Sequence, residues 1–244
     1  FEVRSGFRVT LSSGAPAGSG LGGSSAMGVT LYKALAKVFN KETSISQTVL
    51  KVKGVEGRIL NQGVPGYQDY YPALTGGILA LRGLPGEIER EQLYTSELKE
   101  YLEKHITLVY SGISRDSGIN NWDVYKSFFD QNENVRESLA NIAKISFDTY
   151  KAIKSKRYSD LLHLIGEEGQ ARKSLSSNIV PKEVETVYQE LKSSQLATGL
   201  KMCGAGGGGC FIITHQEENK DKVSDFISKT SFKVLDFNID APLK

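Results

Sequence analysis

Apolar and polar residues alternate at the start of the chain, where Phe1, Val3, Phe7, Val9 and Leu11 are interleaved with Glu2, Arg4, Arg8 and Thr10. A period of two predicts a half-buried strand over residues 1–11. After the loop Ser12–Gly23 the period lengthens. Met27, Leu31, Leu35 and Val38 fall on one face of a helix expected from Ser24 to Phe39, with Asn40 as its stop signal. A second helix is expected over 44–61, with a stripe of Ile45, Val49, Val52 and Ile59. One position of that stripe is skipped, and it holds Glu56. Gly63–Gly66 reads as a turn, followed by Tyr67–Thr75, the pair Gly76-Gly77 and a strand at Ile78–Arg82. Pro85–Lys104 is charged and irregular, with room for an edge strand and a short helix. Ile106–Tyr110 is a strong strand.

The second half reads mostly as helix, over 121–154 with a break near Gln131–Asn134, over 156–172 and over 182–194. Strands at Leu200–Cys203 and Cys210–Thr214 flank a glycine run. A helix at Glu217–Ser228 and a strand at Lys233–Asp240 complete the pattern. No repeat of 20–50 residues is visible. The reading is α+β with two domains, 1–98 and 99–244.

Composition acts mainly by exclusion. Hydrophobic residues make up 39% and charged residues 24% of the 244, which is ordinary for a globular protein. The net charge is +2, from 30 Lys and Arg against 28 Asp and Glu. No basic block suggests nucleic acid as a partner. No stretch approaches the roughly 20 apolar residues of a membrane span, and no signal peptide is seen. Cys203 and Cys210 are too few for a disulfide scaffold, so a reducing, cytoplasmic setting is expected. The chain starts at Phe1, already inside a strand pattern, which suggests a missing N-terminal segment.

The loop Gly14–Ala26 carries the most chemistry. Its five glycines let the backbone turn tightly and approach a ligand. It leads into a helix whose first amides lack intrahelical acceptors and whose dipole favours an anion. Pro16, Gly18, Ser19, Gly20, Leu21, Gly22, Gly23, Ser24 and Ser25 form the candidate phosphate cradle. Ser24 and Ser25 can cap the helix, donate to a phosphate, or supply a ligand to Mg²⁺. No Lys follows the glycines, so this is not a Walker A loop. Glu56 on a buried face needs a cation or strong hydrogen bonds. An internal salt bridge would serve, and so would Mg²⁺, which takes one or two protein oxygens beside substrate phosphates. Asp69 follows Gly66-Tyr67-Gln68 at the start of a short helix, a position the helix dipole also favours.

Lys201-Met202-Cys203 and Gly204–Gly209 form the second glycine run, with five glycines in six positions. That is more than a hairpin needs and suits close approach of a ligand to backbone. Cys203 is either a reactive thiol or a buried, inert one, and the second is the expected state. Ser111–Gly118, including Arg115, follows a strand and offers hydroxyls and a guanidinium to a sugar or sugar phosphate, although an ordinary polar loop has the same composition. Trp122, Tyr70 and Tyr71 are either stacking surfaces or core aromatics. His105, His163 and His215 show no metal-ligand spacing.

Three of these segments resemble motifs of the GHMP kinases, the galactokinase, homoserine kinase, mevalonate kinase and phosphomevalonate kinase superfamily. Pro16–Ala26 resembles the family's phosphate-binding motif, Pro, three residues, then Gly-Leu-Gly-Ser-Ser-Ala, with Gly23 in place of the first serine. The resemblance gives Ser24, with Glu56, the role of holding Mg²⁺. Gly66-Tyr67-Gln68-Asp69-Tyr70-Tyr71 resembles the segment carrying the catalytic aspartate, which makes Asp69 the residue that orients the acceptor hydroxyl. The run from Lys201 resembles the third motif, with Cys203 where Ser or Thr is usual, and it implies that Gly206 and Gly207 line the substrate site with Arg115. The implied fold is a ribosomal-protein-S5-like first domain, truncated, and a ferredoxin-like second domain, with ATP between them. The family's first motif is absent, so the expectation is a truncated or cleaved form of a longer kinase. The implied activity is ATP-dependent, Mg²⁺-assisted phosphorylation of a small molecule. The Gly-Tyr-Gln-Asp and Ser-Arg-Asp-Ser segments look most like the heptose-phosphate and fucose kinase branch, which phosphorylates an anomeric hydroxyl. A mevalonate-pathway kinase or decarboxylase, and a non-catalytic ligand-binding regulator, are the alternatives. A homodimer is left open.

Overall fold

The computed structural model describes residues 6–60, 65–113 and 121–243. The first five residues of the expected strand, Gly63 and Val64 of the expected turn at Gly63–Gly66, and the Ser114–Gly118 part of the polar loop lie outside them. The chain forms two compact units, and it passes from the first to the second between Gln92 and Leu93.

The first unit contains helix α1 (Gly23–Val38), helix α2 (Ile45–Leu60), helix α3 (Tyr70–Thr75) and the hairpin of β1 (Leu79–Leu84) and β2 (Glu87–Gln92). The hairpin pairs Leu79 with Gln92 and Leu84 with Glu87, turning at Pro85-Gly86. Returning residues from Asp240 onward belong to the same unit. Their backbone joins it through Gly77 N–H to Asp240 O at 3.1 Å and Leu243 N–H to Thr75 O at 2.7 Å. The core is Val29, Val49, Val52, Tyr70 and Tyr71, with Tyr32, Leu79, Leu81 and Ile88 packed against it.

Three expectations fail in this unit. Residues 6–13 are not strand. A ladder needs a neighbouring strand, and among the described residues none pairs with them. Phe7, Val9 and Leu11 are about half exposed, and Phe7 rests edge-on against Phe39. The buried face of α1 is Ser25, Val29 and Ala36, while Val38 of the expected face is 69% exposed. The α2 stripe also ends early, because Ile59 is 76% exposed. Helix boundaries, in contrast, fall within a residue of those read from periodicity.

The second unit opens with α4 (Ser96–His105), capped by the Thr95 hydroxyl, which accepts from the Leu98 N–H. It continues with β3 (Ile106–Tyr110), α5 (Asn121–Phe129), α6 (Glu133–Lys154), α7 (Ser159–Lys173), α8 (Lys182–Ser193), β4 (Gly199–Met202) and β5 (Cys210–Thr214). A short 3₁₀ turn, α9 (Lys220–Ser228) and β6 (Lys233–Leu235) complete it. The break before α6 is an N-cap, where Asn132 accepts from the Val135 N–H. The last strand is shorter than its alternation suggested, since only Lys233–Leu235 pairs with β3.

The sheet order is β4-β5-β3-β6 and every pair is antiparallel. With helices after β3 and again after β5, this is the split βαβ arrangement of a ferredoxin-like domain. Val109, Leu200, Met202, Phe211 and Ile213 meet Val184, Tyr188, Leu191, Val223 and Ile227 in one core. Trp122 lies outside it, 60% exposed on α5.

Candidate active site

The glycines before α1 do what their spacing suggests. Gly18, Gly20 and Gly22 have φ of 69°, 77° and 72°, a region that costs other residues strain. Gly22 is the N-cap of α1, no side chain caps that helix, and its first turn holds no acidic residue. The first amides therefore present a backbone anion site at the positive end of the helix dipole. Ser19 and Ser25 are each 4% exposed, while Ser24 and Leu21 face outward.

Asp69 is brought directly to this helix start. A Cβ on Gly22 would lie 2.9 Å from both Cβ and Cγ of Asp69 and 3.1 Å from its Oδ1. No side chain but hydrogen fits at position 22, so the missing Cβ is what lets the carboxyl group lie against the loop backbone.

Glu56 reaches the same end of α1 from α2. Ser24 Oγ donates to Glu56 Oε1 at 2.5 Å, and Ser25 Oγ donates to Oε2 at 2.9 Å. Tyr70, fully buried at the start of α3, donates its hydroxyl to Oε2 at 2.5 Å. Burial, and then the bond to Glu56, push the Tyr70 phenol above its ordinary pKa, so it remains a donor. The expected alternative of an internal salt bridge is not realised: among the described residues no Lys or Arg is paired with Glu56. Sequence reasoning placed Ser24 and Glu56 but missed the Tyr70 hydroxyl. Its signal was a tyrosine next to the candidate catalytic residue, with a hydroxyl to donate as well as a ring to pack.

The second glycine run is not an open surface. Gly206, Gly207, Gly208 and Gly209 all have positive φ, and three of them are crowded by the protein's own backbone. A Cβ would meet Ile179 O at 2.6 Å from Gly206, Ile113 O at 2.7 Å from Gly208, and Gly18 O at 2.5 Å from Gly209. Gly207 N–H donates to Ile179 O at 2.8 Å, and Cys210 N–H donates to Ser19 O at 2.6 Å. The run thus braces the tip of the first loop, Gly18–Gly20, which belongs to the second unit by its contacts. Cys203 is half-buried, not fully buried as expected, and Cys210 is the buried thiol. Arg115 lies outside the described residues.

Beside the run, Lys201 and Arg172 both bond the Glu168 carboxylate, which is 8% exposed. Burial raises the Glu168 pKa, but Lys201 and Arg172 overcome this and hold it below the ordinary value. The i, i+4 spacing of Glu168 and Arg172 was visible in the sequence; the role of Lys201 was not.

Comparison with known proteins matches residues 1–77 to the GHMP kinases N terminal domain and residues 149–233 to the GHMP kinases C terminal domain. The chain belongs to the GHMP kinases. This is a family of kinases that take phosphate from ATP. The GHMP chain is 27% identical over 223 residues to the L-fucokinase/L-fucose-1-P guanylyltransferase of Bacteroides fragilis, covering 88% of its own length and 23% of that protein. It is 25% identical over 232 residues to the D-glycero-alpha-D-manno-heptose 7-phosphate kinase of Campylobacter jejuni, covering 91% of itself and 65% of the relative. It therefore spans less than two thirds of either. Among solved structures, a D-glycero-D-manno-heptose 1-phosphate kinase from Bacteroides thetaiotaomicron superposes with a TM-score of 0.69 at 20% identity, over 92% of this chain and 62% of that one. The Methanococcus jannaschii mevalonate kinase gives 0.70 at 23%, over 94% and 67%. Both carry the same fold, the two-domain α+β fold expected from the sequence. No helix among the described residues is long and apolar enough to cross a membrane.

Proposed function

We propose that this GHMP kinase transfers the γ-phosphoryl group of ATP to a hydroxyl of a sugar or sugar phosphate, with the anomeric hydroxyl of a heptose phosphate or a related sugar as the acceptor. The observation that carries the reading is the Asp69 carboxyl group lying against Gly22 at the uncapped start of α1. An acid there serves a reaction that begins with an anion bound on the first turn of the helix.

In this reading the backbone amides of Gly18–Ser25 take the ATP phosphates and fix their orientation. Asp69 orients the acceptor hydroxyl and takes its proton. Glu56 has hydroxyl donors and no described cation, and with Ser24 it offers the oxygen pair that Mg²⁺ takes beside phosphates. Those two residues would hold the ion, which when bound neutralises charge on the transferring phosphate. Tyr70 and Ser25 hold the Glu56 carboxylate in place.

The sugar assignment rests on the names of two relatives, the fucokinase and the heptose phosphate kinase, together with Gly66–Tyr71. A mevalonate-type kinase is the second reading, supported by 27% identity over 240 residues to the Arabidopsis thaliana mevalonate kinase. ATP consumption by purified protein carrying this chain, screened over heptose phosphates, fucose, galactose and mevalonate, separates them. Turnover with mevalonate alone defeats the sugar reading. Asp69→Ala should lower kcat by about 10² or more; an unchanged kcat defeats the catalytic assignment.

A further inference from the structure

The two cysteines of the chain sit opposite one another across the neck of the second glycine run. Strands β4 and β5 pair Met202 with Phe211, so the next pair along is Cys203 with Cys210. The Cys203 N–H donates to Cys210 O at 2.9 Å, which confirms that register. The Cys210 N–H donates to Ser19 O, so the two cysteines share one of the two bonds of a closed antiparallel pair, whose Cα atoms lie about 5.5 Å apart. Disulfides span Cα separations of about 4.4–6.8 Å. Neither cysteine is in a disulfide.

The two thiols differ in a way that suits sequential chemistry. Cys203 is half-buried and within reach of a small oxidant. Lys201 lies two residues before it, with its ammonium bonded to the Glu168 carboxylate. Cys210 is fully buried, and burial pushes its thiol up to about 11, so it is shielded from direct attack.

We propose that Cys203 is an oxidation site for peroxides and that Cys210 resolves it into a cross-strand disulfide closing the loop Gly204–Gly209. In the first step the Cys203 thiolate attacks a peroxide oxygen. An S–O bond forms, the O–O bond breaks, and the leaving oxygen takes a proton to depart as water or alcohol. The Cys210 sulfur then attacks the Cys203 sulfenic sulfur. The S–S bond forms, the S–O bond breaks, and the expelled hydroxide leaves as water with the Cys210 proton. Overall, two thiols give two electrons to one peroxide. The cross-link would act on the first loop too, because Cys210 N–H holds Ser19 O and Gly209 packs against Gly18 O. Opposed Cβ atoms start about 4.5–5.5 Å apart, wider than the ~3.5–4.5 Å of a relaxed disulfide. Closing the bond draws the strand ends together, so it should be readily reduced.

The test is mass spectrometry of folded protein exposed to a small excess of hydrogen peroxide and then quenched with iodoacetamide. Cleavage after Lys201 and Lys220 leaves both cysteines in one peptide. The expected product is that peptide lighter by two hydrogens, unalkylated, and restored by dithiothreitol. Cys210→Ser should stop at a Cys203 sulfenic acid that dimedone captures, and Cys203→Ser should slow Cys210 oxidation by about tenfold or more. A peroxide-treated wild type that shows only disulfide-linked dimers, or only over-oxidised Cys203 beside alkylated Cys210, overturns the proposal. So does equal oxidation of Cys210 in wild type and Cys203→Ser. Thermal melts of each variant confirm that the oxidised species was folded.

Discussion

Removing the Tyr70 hydroxyl tests whether Glu56 is held by a buried network or merely lies near one. Tyr70 is fully buried, and its hydroxyl donates to Glu56 Oε2 at 2.5 Å, an oxygen shared with Ser25 at 2.9 Å. Tyr70→Phe preserves the ring that packs with Val29, Val49 and Val52, so the hydrophobic contribution is nearly unchanged. What is lost is one hydrogen bond to a charged group, which contributes about 1.5–3 kcal/mol. Glu56 retains Ser24 and Ser25 as donors, which favours the lower half of that range. Glu56→Gln in the same position keeps an acceptor but removes the charge, and a neutral bond contributes about 0.5–1.5 kcal/mol. A double-mutant cycle in urea should therefore give a coupling near 1 kcal/mol between the two positions. The same Tyr70→Phe protein should need more Mg²⁺ for half-maximal protection against unfolding in the presence of ATP. A single-mutant cost below about 0.5 kcal/mol with no coupling would show that the hydroxyl and carboxylate are neighbours without mutual dependence. The account of how Glu56 is positioned would then fail.

Three other outcomes follow from the geometry. Gly22→Ala and Gly18→Ala each force an L residue into a left-handed φ, 72° and 69°, but only the first meets Asp69, at 2.9 Å. Both should lose about 1–2 kcal/mol in calorimetry, and kinetics should show the larger fall in kcat for Gly22→Ala, whose added Cβ displaces Asp69. Glu168→Gln leaves Lys201 and Arg172 without their shared partner and should cost about 3–5 kcal/mol in chemical unfolding, with Glu168→Met/Lys201→Met recovering part of it. His215 is fully buried, with Nε2 facing the Thr107 hydroxyl at 2.8 Å and Nδ1 facing Gln216 O at 3.0 Å. Burial holds its pKa below the ordinary 6.5. The unfolded chain then binds the proton first, so the stability His215 contributes is complete above about pH 6.5 and declines as pH falls below it. His215→Gln should flatten that slope between pH 6.5 and 5; an equal slope in both proteins refutes the assignment.

Much of this architecture was legible in local signals. Helix periodicity placed α1 and α2 to within a residue, and the break expected near Gln131–Asn134 falls at the start of α6, where Asn132 is the N-cap. The skipped stripe position at Glu56 pointed to a carboxylate turned toward the interior, and it does gather three hydroxyls. What periodicity did not resolve was which face of α1 is buried. Met27, Leu31, Leu35 and Val38 fit one helical face, yet Ser25, Val29 and Ala36 are the buried residues. Helix amphipathicity ranks faces by hydrophobicity, but the observed rotation of α1 turns Ser25 toward Glu56, to which it donates. The alternation over 6–11 misled for a related reason. A period of two describes a chain suited to a ladder, and pairing depends on a partner that the segment's own sequence does not specify.

The two glycine runs show the same limit in a sharper form, because similar glycine richness serves different ends. In Gly18–Gly23 the glycines lead into an uncapped helix start, and Gly22 gives up its side chain to make room for Asp69. In Gly206–Gly209 the space is taken by Ile179, Ile113 and Gly18, all through backbone carbonyls. A sequence records only that a side chain is missing. It does not record whether the vacated space admits a phosphate or another strand of the protein's own chain. The distinction changes what a substitution does. An alanine at Gly22 strikes the carboxylate of the candidate catalytic residue. An alanine at Gly209 strikes the carbonyls of Gly18 and Ser19 and so disturbs the first loop without meeting Asp69. The second run therefore supports the Gly18–Gly20 loop through its own backbone. That makes the redox state of its two flanking cysteines a matter of loop geometry as well as of thiol chemistry.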